Sequence, residues 1–137
     1  MHRLAYVSTA DESLSAMDLQ DILEAALRNN GKAEVKGTVL FNGVNFLQIL
    51  EGPKEGVEHI YSRICSDDRH HHIMTIFREN ASRRVFDDSP MTLNTVNCPV
   101  GTLPDGMTLS SDINLFLPAD LPNYLHNMIE SFNTTRA

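Results

Sequence analysis

Phe46-Leu47-Gln48-Ile49-Leu50-Glu51-Gly52-Pro53 reads as a strand that runs into a helix start. Phe46, Leu47, Ile49 and Leu50 put apolar side chains on both faces, which predicts a central, covered strand. Gly52-Pro53 stops it, and proline suits the opening of a helix. Gln48 breaks the apolar run. A buried amide without partners costs about 1–3 kcal/mol, so Gln48 is either outward-facing, satisfied in the core, or turned toward a polar ligand.

Working outward, Asn42-Gly43 is a strong hairpin signal. It joins this strand to Val35–Phe41, whose residues alternate about Lys36, Thr38 and Leu40. Downstream of Pro53, Val57, Ile60, Tyr61 and Ile64 form one apolar stripe of a helix. Arg63, near the helix end, suits the dipole and would equally hold a phosphate or polyol tail. Further out, Arg3–Thr9 alternates as a first strand, with Leu4, Tyr6 and Ser8 on one face and Ala5, Val7 and Thr9 on the other. A helix follows. Ser15 and Asp18 form its capping pattern, Leu19, Ile22, Leu23, Ala26 and Leu27 its stripe, and Asn29-Asn30-Gly31 its end. That end is a C-cap and turn, or it aims an asparagine amide at a ligand.

Ile73, Met74, Ile76 and Phe77 mark a fourth strand, through about Glu79. Ser89–Leu93 is the candidate fifth; Pro90 donates no backbone hydrogen bond, so an edge or bulge is expected there. Residues 94–109 read as a connector rich in proline and glycine. A short helix is expected over Asp112–Leu117. Asp120-Leu121-Pro122 opens a last helix, with Leu121, Leu125, Met128, Ile129 and Phe132 on its apolar face. That face must pack on the sheet or on a second subunit, so self-association into a homo-oligomer is expected. The order β-α-β-β-α-β, with a fifth strand and C-terminal helices, predicts an α+β, ferredoxin-like fold.

The bulk numbers exclude some functions. The chain has 137 residues, 42% of them hydrophobic and 21% charged, which suits one soluble domain. The net charge of −7 argues against nucleic acid and anionic membranes. No apolar run reaches the ~18 residues of a membrane span, and no secretory leader opens the chain. Cys65 and Cys98 lack metal or redox spacing and fit reduced thiols in the cytoplasm. Adjacent residues of His70-His71-His72 point in different directions, a poor ligand shell, so no metal site is expected. No nucleophile–base set supports an enzyme.

In a ferredoxin-like fold the first and third strands are central neighbours, so Tyr6 and Gln48 face one helix-covered space. A flat polar heteroaromatic would fit there between Ile22 and Ile64. Its polar edge would meet Asn30 and Gln48, and a phosphate-bearing tail would leave near Arg63 and Arg69.

The chain resembles the BLUF domains, blue-light sensors that use flavin. The resemblance rests on Leu4-Ala5-Tyr6-Val7-Ser8, Arg28-Asn29-Asn30, Gly37-Thr38-Val39-Leu40, Phe46–Pro53, Asp67-Asp68-Arg69-His70, Arg84-Val85-Phe86 and Met91, in family order across about residues 1–93. It implies a flavin-binding domain over 1–93, with 94–137 as connector and helical extension. It implies FAD, with FMN also possible. Tyr6 would be the electron and proton donor to excited flavin, and Gln48 would bridge Tyr6 to the ring. Asn30, beside Asn29, would bond its carbonyl edge, and Ile22 and Ile64 would sandwich it. Arg63, Asp67, Arg69 and His70 would hold the tail, with Phe46 and Ser8 beside the pocket. Met91 would carry the signal along the fifth strand. Excited flavin is a strong oxidant. Glutamine, with a donor and an acceptor end, can rearrange to change its bond to the flavin carbonyl and shift absorption slightly to the red.

One departure is clear. Many members carry tryptophan two residues before the strand-five methionine; here Ser89 stands there, and the chain has no tryptophan. A switch that swaps a tryptophan in and out of the pocket is thereby ruled out. Residues 94–137 are too few for a cyclase or phosphodiesterase domain, so output is expected through a downstream signalling protein or a change of oligomer. The competing readings are a dark adaptor, with or without flavin, and a small flavin-dependent oxidoreductase.

Overall fold

The structure is a computed structural model and describes residues 1–15, 17, 18, 21, 22, 25, 34–41, 44–82, 85, 86, 93–95, 107–109 and 121–134. Among them, the strands are β1 (His2–Ala10), β2 (Lys36–Phe41), β3 (Asn45–Gly52), β4 (His70–Asn80), β5 (Leu93–Thr95) and β6 (Met107–Leu109). The helices with both ends described are α1 (Lys54–Cys65) and α2 (Asn123–Thr134). Residues 17, 18, 21, 22 and 25 are also helical. The sheet order is β4-β1-β3-β2-β5-β6. The first four strands pair antiparallel in the ferredoxin-like arrangement, with β1 and β3 central as expected.

Alternation along β1 and β3 gives the sheet two apolar faces. On the first, Leu4, Tyr6, Val39, Phe41, Phe46 and Leu50 pack with Val57, Ile60 and Tyr61 of α1, and Ile22 lies against them. On the second, Ala5, Leu40, Leu47 and Ile49 pack with Leu125 and Ile129 of α2 and with Val85 and Phe86. The apolar stripe of α2 is thus covered by the chain's own sheet, and the expected self-association loses that ground. Pro53 stands just ahead of α1, and its carbonyl accepts the first helical hydrogen bond from Val57 at 2.9 Å. Gly37 crosses β3 closely at φ 153°, where an added Cβ would lie 1.8 Å from the Ile49 carbonyl oxygen. Only glycine fits there.

One expectation is met at its end and one is corrected. The fifth strand is placed at Leu93–Thr95 and pairs parallel to β2. Residues 89–92, where it was expected to lie, and with them Met91, are outside the described residues. A sixth strand, Met107–Leu109, stands inside the predicted connector and pairs parallel to β5. Each run is three residues long, too short for alternation to be legible between prolines and glycines. The predicted helix at Asp112–Leu117 and the turn at Asn29-Asn30-Gly31 also lie outside the described residues. β4 starts three residues earlier than expected, so the three histidines belong to it.

The second face also carries a buried polar network. Arg3 is directly opposite Glu51 in the β1–β3 ladder and is bound to it, Nη2 to Oε2, at 2.8 Å. Arg3 is 4% exposed and Glu51 0%. The other Glu51 oxygen accepts the backbone N–H groups of Val85 at 2.8 Å and Phe86 at 3.1 Å. Arg3 Nη1 donates to Glu79 of β4 at 3.0 Å and to the Tyr124 hydroxyl of α2 at 2.8 Å. The Tyr124 hydroxyl in turn donates to Glu79. Burial alone would lower the Arg3 pKa, but the hydrogen bonds to Glu51 and Glu79 outweigh it and raise it. The guanidinium is therefore a fixed charge held in the core.

Candidate functional site

Two bulges in the β1–β4 ladder set up the first face. Ala5 pairs with Phe77 but Tyr6 with Thr75, and Val7 pairs with Met74 but Thr9 with His71. Each leaves an extra residue on β4 and re-aims the side chains around it. His72, in the second bulge, has φ 54°. The three histidines consequently diverge. His70 is buried against the first face, His71 pairs with Asp11 at 2.8 Å, and His72 is exposed.

A half-open cleft of about 210 Å³ lies over this face. Tyr6, Val39, Phe46 and Gln48 form its floor from the strands. Ile22 and Ala25 come from the first helical segment, and Ile60, Arg63 and Ile64 from α1. Asp67, Arg69 and His70 close the end beyond α1. Nine of the residues singled out in the sequence are thereby brought together: Tyr6, Ile22, Phe46, Gln48, Arg63, Ile64, Asp67, Arg69 and His70. Asn29 and Asn30 lie outside the described residues.

Tyr6 and Gln48 are directly opposite in the β1–β3 register, and each is 4% exposed. The Tyr6 hydroxyl donates to Gln48 Oε1 at 2.5 Å. Burial raises the Tyr6 pKa far above that of an ordinary phenol, so the proton stays on its oxygen. Behind Tyr6 stands Tyr61, ring centroids 5.4 Å apart, its own hydroxyl 2.6 Å from Thr75 Oγ1. Thr75 is the β4 partner of Tyr6, so Tyr6 is fixed from two sides.

Ser8 does not reach the cleft. Its hydroxyl is 2.7 Å from His70 Nδ1, while His70 Nε2 is 2.8 Å from the Ile64 carbonyl. A carbonyl only accepts, so Nε2 carries hydrogen, and in the neutral ring Ser8 donates to Nδ1. The Ile64 carbonyl therefore sets the tautomer of His70 and pins it to the end of α1, while Ser8 holds the other ring nitrogen.

Asp67 and Arg69 form a two-pronged pair at the mouth, with Arg69 Nη2 at 2.5 Å and Nε at 2.9 Å. Hydrogen bonds from Arg69 hold the Asp67 carboxyl below its usual 3.8, against the opposing effect of burial. A carboxylate depressed on folding adds stability that is complete above its unfolded pKa and is lost as pH falls through the folded one. Thermal melts taken from about pH 5 down to about pH 2 are expected to show an acid-labile component that Asp67→Asn lacks. Matching profiles for the two proteins would mean that the pair does not support the fold.

Ala25, Val39 and Ile60 line the cleft without having been singled out. Val39 shares the face of Phe41, and Ile60 belongs to the α1 stripe, so their positions were readable once the faces were known. The buried core, phenol and amide side by side, apolar walls and a mouth with two arginines, suits a flat heteroaromatic with a polar edge and an anionic tail.

Residues 1–92 match the family described as BLUF, sensors of blue-light using FAD. The chain belongs to the BLUF family. It is 37% identical over 90 residues to the blue light- and temperature-regulated antirepressor BluF of Escherichia coli, covering 66% of this chain and 22% of that protein. It is 37% identical over 83 residues to the photoactivated adenylate cyclase subunit beta of Euglena gracilis, covering 61% and 10% respectively. The chain thus spans under a quarter of these relatives. The dark-state structure of the BLUF protein BlrB superposes with a TM-score of 0.66 at 29% identity, covering 69% of this chain and 71% of that one. The BLUF unit is a flavin-binding sensor of blue light and not a catalytic unit. Its Tyr–Gln hydrogen bond is formed here by Tyr6 and Gln48. Among the described residues, no helix is long and apolar enough to cross a membrane.

Proposed function

We propose that this chain is a cytoplasmic blue-light photoreceptor that holds FAD in the first-face cleft and signals to a protein partner through its C-terminal part. The observation that carries the reading is the buried Tyr6–Gln48 hydrogen bond on the cleft floor. FAD is the flavin favoured, from the family description, with FMN as the other candidate. When bound, flavin supplies absorption of blue light and a strongly oxidising excited state.

The chain's own residues do the rest. Ile22 and Ile64 supply apolar walls from two helical segments, and Phe46 and Val39 the floor. Arg63 and Arg69 offer cations to the anionic tail, with Asp67 holding the Arg69 fork in place. Ser8 and His70 brace the wall behind them. Tyr6 keeps its proton in a bond aimed at Gln48 Oε1. A phenol that gave an electron to the excited flavin would become strongly acidic, and Gln48, accepting at Oε1 and donating from its amide nitrogen, would relay a proton to the ring that took the electron. Gln48 then has to present its amide differently, because Oε1 no longer receives the same donor. Asn29, Asn30 and Met91 remain assigned to the site by the family motif alone.

Residues 1–93 are proposed as the sensing domain and 94–137 as its output extension. The E. coli relative is named an antirepressor and the Euglena relative a cyclase, which supports output to an effector outside residues 1–93. A change of oligomer on illumination is one form that output takes.

The test is a visible absorption spectrum of the purified protein in darkness, after blue light, and after return to darkness. A yellow protein whose flavin band moves slightly red and comes back is the expected result. A yellow protein with no reversible shift would overturn photoreception. A colourless protein that takes up neither FAD nor FMN would favour an adaptor.

A further inference from the structure

We propose that the Arg3–Glu51 pair is the joint through which the Tyr6–Gln48 pair acts on helix α2; this rests on the photoreceptor reading above. Both pairs are rungs of one ladder. Tyr6 stands opposite Gln48, and three residues along each strand Arg3 stands opposite Glu51. The separation is about 10 Å of strand, and an odd offset turns the second pair to the other face. The rungs between them, Ala5–Ile49 and Leu4–Leu50, are fully buried, so a shift of β1 against β3 at Tyr6 is carried to Arg3 with little slack.

What Arg3 and Glu51 hold makes this rung different from the others. Glu51 receives the backbone of Val85 and Phe86, while Arg3 binds Tyr124 on α2 and Glu79 on β4. One ion pair therefore attaches both the segment after β4 and the last helix. The apolar contacts of Leu125 and Ile129 fix α2 to the sheet without a preferred register, because burial is non-directional. The planar guanidinium fork is directional, and Arg3 divides it between Glu51 on one side and Glu79 with Tyr124 on the other. A small displacement of Arg3 changes the Tyr124 contact first, since that hydroxyl shares Glu79 with Arg3 and sits at the half-exposed end of the network.

The experiment uses the full chain loaded with flavin. Backbone hydrogen–deuterium exchange of residues 123–134 is compared in darkness and under continuous blue light, with the flavin spectrum recorded on the same samples. Wild type is expected to show the red shift together with a change in α2 exchange of about fivefold, the size of one shared hydrogen bond. Tyr124→Phe removes only the hydroxyl from a half-exposed ring. Arg3→Lys keeps the charge but loses the fork. Both are expected to keep the red shift and to reduce the α2 difference below about twofold. An α2 difference that survives both substitutions would overturn the joint. So would a wild type that shifts red with no change in α2, and that result would leave photoreception standing. A wild type with no red shift would overturn both readings.

Discussion

Tyr6→Phe is expected to bind flavin and stay yellow, while its reversible red shift disappears. The substitution removes one oxygen and keeps the ring, so packing against Tyr61 at 5.4 Å is retained. What is lost is the donor to Gln48 Oε1. The yield of photoconversion is expected to fall by about two orders of magnitude or more, the usual consequence of removing a positioned proton-transfer group. Stability changes less. An acceptor left without its buried partner costs about 1–3 kcal/mol. Absorption spectra before and after blue light read the first effect, and chemical denaturation in the dark reads the second. A Tyr6→Phe protein with a full red shift would show that the phenol is not part of the switch.

Glu51→Leu is expected to be the most destabilising single change on the second face. It leaves the Arg3 charge buried without its carboxylate and strips the acceptor from the Val85 and Phe86 N–H groups. Removing one partner of a buried ion pair costs about 3–5 kcal/mol. The double replacement Arg3→Met with Glu51→Leu is expected to recover part of that loss, because the uncompensated charge goes as well. Glu79→Gln serves as the control, since its side chain is one-third exposed and its loss of charge is screened by water. Equilibrium denaturation of the four proteins measures all of this. A single Glu51→Leu loss no larger than the control's would mean that the pair contributes packing and not charge.

The first face was largely readable from sequence. Leu4-Tyr6-Ser8 against Ala5-Val7-Thr9, the Asn42-Gly43 hairpin signal and the stripe of Val57, Ile60, Tyr61 and Ile64 each obey a simple period, and together they bring Tyr6 and Gln48 to one floor. The lone amide in an apolar run was the sign of a site. Ser8 is placed beside the pocket by the family resemblance; here the bulge at His72 brings His70 against its hydroxyl, and a bulge leaves no mark in alternation. β6 and the end of β5 beyond Leu93 escaped because three residues carry no period, and parallel pairing depends on distant strands. Arg3 and Glu51 escaped because charged residues near strand ends are usually solvated. Their signal was present: each is flanked on its own face by an apolar residue, Ala5 and Ile49, and each falls on the same rung once the register is known.

Strands β1 and β3 each write two messages, one on even-numbered residues and one on odd. Residues 4, 6, 46, 48 and 50 belong to the first-face core and cleft floor, while 5, 47 and 49 belong to the bed of α2 and 3 and 51 to its polar anchor. No side chain serves both, so the residues that seat α2 are distinct from those that line the cleft. A different amphipathic helix would seat there if it brought aliphatic residues where Leu125 and Ile129 stand and a hydroxyl where Tyr124 stands. The sheet is thereby a two-sided part: its far side is a socket for α2, and its near side carries the cleft.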